Sequence, residues 1–183
     1  MKSALIATAV IGAAVAAAGA ALAAAPAPMP LQTPNPNYTS IVMEMPVNKP
    51  AKQVWARVGK YCDIGEWFGV PCKLTSGKAD ELGNVRDLAN GAVLEILVAK
   101  TELSYTYTQP VRTDRPYDLY HGTIEARPVT ATTSKLVYSL VFDNSSLPDA
   151  AAREKDTANR RARFTDGLKN MKILAEGGTL PKK

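Results

Sequence analysis

The sequence is short of the residues that most metal and group-transfer chemistry needs. It has a single histidine, His121, and two cysteines, Cys62 and Cys72. No zinc set of ordinary ligand number and spacing can be built from those three without distant carboxylates, so no metal site is expected. Also lacking are a glycine-rich phosphate loop opening a helix, a serine nucleophile elbow and a dinucleotide fingerprint. Nucleotide-dependent and serine-hydrolase chemistry are thereby excluded. No cofactor is expected, and any catalysis has to be cofactor-free acid/base chemistry. Internal repeats and a second shift in composition are missing as well, which leaves one domain.

The first 25 residues have their own character. Lys2 supplies a short positive region, residues 4 to 25 carry no charge, and the small triplets Ala21-Leu22-Ala23 and Ala23-Ala24-Ala25 fit a signal-peptidase site. Residues 1–25 therefore read as a signal peptide, with an uncleaved anchor as the alternative. Residues 26–37 are proline-rich and read as an extended tether that cannot pack a core. The folded domain spans residues 38–177, with 178–183 as a tail. That length buries roughly two thirds of its unfolded surface. A periplasmic or secreted location follows, with no stable membrane insertion after cleavage.

The formal charge is +5, and the excess is local: residues 153 to 172, REKDTANRRARFTDGLKNMK, hold seven Lys or Arg against three acids. A basic helix can attract nucleic acid, but an exported protein rarely meets it, so no nucleic-acid partner is expected and a solvated helix face is the plainer reading.

Within the domain, YTSIVMEMPV alternates as a strand. In NKPAKQVWARVGKY, Asn48 is a candidate cap and Val54, Trp55 and Val58 form a helical stripe, and a short turn through Ile64, Trp67 and Phe68 follows. From Cys72 to Asp143 six β-prone runs are separated by turn residues with no helix between them, which implies an antiparallel meander. After Leu147-Pro148-Asp149 the pattern is helical to about Glu176. Thr157, Arg161, Phe164, Leu168, Met171 and Ala175 lie on one face, and Gly177-Gly178 forms the stop.

This order resembles the helix-grip fold of the START-like or SRPBCC superfamily, in particular its polyketide cyclase/dehydrase branch. The residues that carry the resemblance are QVWARVGKYCDIGEW, GNVRDL, VLEILV, SYTYTQP, and YHGTIEARPV followed by KLVYSLVFD. It covers Tyr38 to Glu176 and departs from the family where Phe68-Gly69-Val70-Pro71 replaces the more usual His-Pro after the tryptophan. The resemblance implies an α+β fold: a seven-stranded antiparallel curved sheet wrapped around a long C-terminal helix, with two short helices after the first strand. It further implies a cavity between sheet and helix, with Arg86, Glu95, Tyr105, Tyr107 and Tyr120 pointing into it and Gly122 on the same inward row. Members of the superfamily include lipid carriers and cofactor-free cyclases, so fold alone does not select a function.

Strand alternation tests these orientations independently. The row Leu103, Tyr105, Tyr107, Gln109 opposes Ser104, Thr106, Thr108, so the tyrosines face in. The row Asp118, Tyr120, Gly122, Ile124 is more apolar than Leu119, His121, Thr123, Glu125, which puts His121 outside. In AVLEILVAK the outcome is reversed: periodicity puts Leu94, Ile96 and Val98 on the core side and Glu95 outside, against the resemblance.

Two functions share this cavity. The first is binding of a small hydrophobic ligand, aromatic, phenolic or lipid-like, by Trp67, Phe68, Arg86, Glu95, Tyr105, Tyr107, Tyr120, Tyr138, Arg161 and Phe164, in a monomer or weak dimer. The alternative is a cofactor-independent cyclase, dehydratase or lyase in which Asp118 or Glu95 moves a proton and Tyr120 polarises an oxygen. The stretch YCDIGEWFGVPC holds both cysteines. In an oxidising compartment a Cys62–Cys72 bond is expected, contributing about 2 to 3 kcal/mol, with two buried free thiols as the alternative.

Overall fold

The ten-residue strand β1 (Tyr38–Val47) opens the domain and is followed by α1 (Ala51–Val58) and α2 (Ile64–Trp67). Six strands come next: β2 (Cys72–Ser76), β3 (Val85–Leu88), β4 (Val93–Lys100), β5 (Ser104–Thr108), β6 (Tyr120–Pro128) and β7 (Ser134–Asp143). The chain ends in the 26-residue helix α3 (Ala150–Ala175). This computed structural model describes residues 31, 33–112 and 118–181. The expected signal peptide and the start of the proline-rich tether lie outside the described residues. Among the described residues no helix is long and apolar enough to cross a membrane.

All seven strands form one antiparallel sheet in the order β1-β7-β6-β5-β4-β3-β2. Only β1 leaves the sequential meander, pairing with β7 along ten residue pairs from Tyr38 opposite Asp143 to Val47 opposite Ser134. The sheet buries one face. On β6 the burial alternates strictly, with Tyr120, Gly122, Ile124 and Ala126 inside and His121, Thr123 and Glu125 partly exposed. Helix α3 lies across that inner face and completes the expected helix-grip architecture.

Helix α3 starts where the Asp149 carboxylate accepts a hydrogen bond from the Ala152 amide at 2.7 Å, a side-chain cap. It ends where Gly177, at φ +90°, lets its amide bond back to the Leu174 carbonyl. Its buried residues are Phe164, Gly167, Leu168, Met171 and Leu174, all in the C-terminal half. The expected face is thus rotated: Arg161 is exposed and donates to the Val42 carbonyl at 2.9 Å, while Thr157 and Ala175 are only half-buried. Helix α1 also differs in detail. Pro50 occupies the cap position, its carbonyl taking the Gln53 and Val54 amides, and the Asn48 amide is bonded instead to Glu176 at 2.8 Å.

Cys62 and Cys72 form a disulfide, with Cα atoms 5.6 Å apart. It ties the turn before α2 to the first residue of β2. A two-pronged ion pair from Arg57 to Glu66, both contacts 2.7 Å, joins α1 to α2. Asn170 of α3 donates to the Trp67 carbonyl at 2.9 Å. The 62–72 segment is therefore held to α1, to β2 and to α3 at once.

Candidate functional site

The site is assembled from the inward rows of the sheet. In β5 the alternation of SYTYT buries Tyr105 and Tyr107 and leaves Ser104, Thr106 and Thr108 half-exposed. Directly across the ladder from Tyr107 stands Gly122. A side chain there would collide with the Tyr107 ring, so the glycine is what lets that ring lie flat over β6. From this position the Tyr107 hydroxyl meets that of Tyr138 on β7 at 2.8 Å. Burial drives both phenols well above the ordinary tyrosine value, so they act as neutral hydrogen-bonding groups. A pair of hydroxyls holds two protons and spends one on the mutual bond, which leaves one donor for a third oxygen.

Glu95 on β4 faces inward and is 3 % exposed, as the family resemblance implied and against the strand periodicity. Leu94 and Ile96 lie on the outer face, where Ile96 pairs across the ladder with Val85, and Val98 falls at a register shift and is solvent-exposed. Neighbouring apolar residues on that face cover one another, which is why its hydrophobicity imitates a core.

Behind Glu95 sits Arg86, completely buried. Its Nε and one terminal nitrogen donate to Glu95 Oε2 at 2.8 and 2.6 Å, and the other terminal nitrogen donates to the Tyr61 carbonyl and, at 3.3 Å, to the Tyr105 hydroxyl. The guanidinium also stacks on the Tyr61 ring at 4.2 Å. Burial would lower its pKa, but the surrounding Tyr105, Glu95, Tyr61 and Tyr107 groups outweigh that and raise it. The other carboxylate oxygen, Oε1, accepts from Gln109 at 3.2 Å.

Between this wall and α3 lies a cavity of about 380 Å³. Phe68, Glu95, Tyr107, Tyr120, Tyr138 and Phe164 line it, with Ile64, Val70, Leu88 and Val93 closing one side. Phe164 packs on Tyr138 and on Phe68 with ring centroids 4.7 and 5.3 Å apart, so the helix and the 62–72 segment meet in an aromatic wall. Ala89 and Gln109 add to the sheet side, and the rest of the lining comes from α3: Asp156, Asn159, Arg160 and Arg163. Arg160 donates to Asp156 at 2.7 Å and lies over the Phe142 and Tyr120 rings at 4.5 and 5.5 Å. Arg163 lies over Phe68 at 4.8 Å.

Of the expected contact residues, Phe68, Glu95, Tyr107, Tyr120, Tyr138 and Phe164 are brought together around this cavity. Four others stand elsewhere. Trp67 is fully buried in the core, Arg86 lies behind Glu95, and Arg161 is on the outer side of α3. Tyr105 contributes to a separate hollow with Trp55 and Tyr61. Asp118, a proton-transfer candidate, precedes β6 instead of lying on its inward row, and its carboxylate accepts from the Tyr38 hydroxyl at 3.0 Å at the sheet end. It is not among the cavity residues. His121 lies on the outer face, where burial against its neighbours lowers its pKa. Among the described residues no group of three or more metal-ligating side chains converges. Asn159, Arg160 and Arg163 are not among the contact residues expected from sequence, and Gln109 enters there only as a member of the inward row of Tyr105 and Tyr107. The three helix residues share a spacing of three and four with Asp156 and Phe164, which is a signal only once polar side chains are admitted on an inward stripe.

A curved sheet gripping a helix, with an aromatic and hydroxyl-lined hollow between them, defines a helix-grip fold. No protein-family model matches the chain and no curated protein matches it in sequence. Solved structures do. A protein from Bacillus thuringiensis is 25% identical over 73% of this chain and 96% of its own, with a TM-score of 0.60. The Zhui aromatase/cyclase from Streptomyces sp. R1128 is 17% identical, covering 78% of this chain and 100% of its own, with a TM-score of 0.60. Ara h 8.0201 is 16% identical over 74% and 98%, with a TM-score of 0.51. At these identities the last two speak for the fold.

Proposed function

We propose that the chain is an exported binding protein whose mature domain holds a small hydrophobic, aromatic or phenolic molecule between sheet and α3. The observation that carries this reading is the composition of the 380 Å³ hollow: aromatic rings on two sides, one free donor from the Tyr107–Tyr138 pair, and the Oε1 acceptor of Glu95 on its floor. Its volume stands at the small end of ligand pockets, and apolar walls with few convergent polar groups are the usual make-up of such sites. A phenol placed there accepts from the tyrosine pair and donates to Glu95. The Cys62–Cys72 bond and the reading of residues 1–25 as a signal peptide support an extracytoplasmic location. The test is native mass spectrometry of protein recovered from its own periplasm. A co-purifying small molecule, returned unchanged after incubation, is the expected result; recovery only in the mature cytoplasmic fraction, or failure to bind any hydrophobic probe, refutes it.

A second reading has one observation in its favour, the fold shared with an aromatase/cyclase. In it the same cavity runs a cofactor-free cyclisation or dehydration, with Glu95 taking a proton and Tyr120 polarising an oxygen. Turnover of a phenolic or polyketide-like substrate that vanishes in Tyr120→Phe, with the fold intact, would replace the binding-only reading by this one. Glu95 is a poor candidate for mobility, because Arg86 holds its other oxygen with two hydrogen bonds.

A further inference from the structure

Helix α3 turns a polar face to the cavity over its N-terminal half, and that face is not neutral. It carries two arginines and one aspartate, so its net charge is 2 − 1 = +1. Arg160 is fixed by Asp156 through Nε, by a side-chain hydrogen bond to Tyr120 and by the rings beneath it. A guanidinium has five N–H donors, so this leaves part of its fork unused. Arg163 is less satisfied still. Among the described residues it makes no hydrogen bond and no ion pair, and its one contact of note is the Phe68 ring. Five other arginines differ: Arg86 is matched by Glu95, Arg57 by Glu66 and Arg127 by Glu125, while Arg153 and Arg161 donate to backbone carbonyls. Stacking on an aromatic ring fixes the plane of a guanidinium while leaving its N–H edge free for a planar anion.

The opposite end of the cavity has the reverse character. Glu95 Oε1 offers an acceptor on the floor, and the donors that line that end among the described residues, the Gln109 amide and the tyrosine hydroxyls, are neutral, so a ligand carboxylate finds no cation there. Resting on the reading of this hollow as a binding site, we propose that its ligand is an aromatic carboxylic acid. It enters ring first, and its carboxylate stays at the helix-side mouth between Arg160 and Arg163 while the ring lies against Tyr107, Tyr138 and Phe164. One negative charge matches the +1 of the mouth. The 380 Å³ available equals about a dozen water volumes, which suits a body of one or two rings.

The test uses calorimetric titration of the purified protein with 4-hydroxycinnamate, with its neutral methyl ester, and with Nile red as a neutral apolar probe. A charge-assisted hydrogen bond to the carboxylate makes the acid bind about tenfold more tightly than the ester, with the advantage shrinking as salt is raised. Arg163→Gln, a change at an exposed position, brings the acid-to-ester ratio down towards one. Arg161→Gln removes the same charge from the same helix on the side away from the cavity and keeps the ratio. Ester binding as tight as acid binding overturns the proposal, as does an equal effect of the two substitutions, which would reduce the preference to a long-range field. If Nile red binds and neither cinnamate does, the hollow binds ligands but not acids of this class. If none of the three binds, the binding reading itself falls and this one with it.

Discussion

Replacing Glu95 by glutamine tests whether the wall behind the cavity is as closed as its geometry implies. Arg86 is 0 % exposed, and among the described residues the Glu95 carboxylate supplies its only countercharge, through contacts of 2.8 and 2.6 Å. The substitution conserves shape and removes the charge. What remains around the guanidinium is one backbone carbonyl, the Tyr105 hydroxyl and aromatic faces, which satisfy hydrogen bonds without neutralising it. Leaving a buried ion without its partner costs about 3 to 5 kcal/mol. A domain of this size has about 5 to 15 kcal/mol in total, so the loss is a large share of its stability. In urea, with an m-value of about 2 kcal/mol per molar, the midpoint falls by roughly 2 M, which the fluorescence of Trp55 and Trp67 can follow. The double variant Arg86→Met with Glu95→Leu removes both charges and stays within about 1 to 2 kcal/mol of the parent, because a packed apolar pair avoids the desolvation that the ion pair bears. A loss below about 1 kcal/mol for Glu95→Gln would refute the reasoning, since it would mean that water or another carboxylate reaches Arg86. Equal damage in the single and double variants would refute it differently, by showing that shape and not charge is at stake.

Further perturbations probe the other walls. Gly122→Ala drives a methyl into the Tyr107 ring, so it is expected to cost about 1 to 3 kcal/mol in urea denaturation and to weaken ligand binding by displacing the Tyr107–Tyr138 pair. Replacing Cys62 and Cys72 by serine opens a loop with a sequence separation of 10, for an expected loss of about 3 kcal/mol and faster ligand release, read by thermal unfolding and stopped-flow dissociation. In alkali, burial raises the pKa of Tyr61, Tyr105, Tyr107 and Tyr138 above the value of 10.0 they take when unfolded. The folded state then holds protons that the unfolded state releases, so stability is intact below about pH 10 and declines above it. Tyrosinate absorbance of those four should therefore appear together with unfolding, and smooth ionisation of all the tyrosines in a still-folded protein would contradict their burial.

The strands were legible because β-prone runs and turn residues alternate cleanly, and Tyr107 and Tyr120 could be aimed by period alone. Glu95 could not. Its neighbours Leu94 and Ile96 are the more apolar row, and only the tertiary partner Arg86, nine residues away in sequence, makes burial of the carboxylate tolerable. Asp118 was misplaced for a different reason. Alternation was extended past the start of β6 at Tyr120 into a bend, where a period of two no longer holds. On α3 the expected face holds at Phe164, Leu168 and Met171 and departs at Thr157 and Arg161, where Asp156, Asn159, Arg160 and Arg163 line the cavity instead. In the first half of that helix the inward positions are polar or charged, so hydrophobicity carries no signal there.

Those polar inward positions explain how this fold comes to have a cavity at all. A helix laid in a curved sheet fills the space if its inward stripe is apolar throughout, as Phe164, Leu168, Met171 and Leu174 do for the C-terminal half of α3. The same stripe continued backwards carries Arg163, Arg160, Asn159 and Asp156. Such side chains keep their polar ends hydrated, so they roof the space without entering it. On the sheet side Gly122 withholds a side chain, and the Tyr107 ring laid over it forms a flat floor instead of a plug. Filling the hollow from the helix, for example with Asn159→Leu together with Arg163→Leu, extends the apolar stripe by more than a turn. Such a protein gains apolar contact and is expected to unfold at higher temperature while binding no ligand, as native mass spectrometry and calorimetric scanning would show together. A variant that became more stable yet still held its small molecule would mean that the ligand site lies elsewhere.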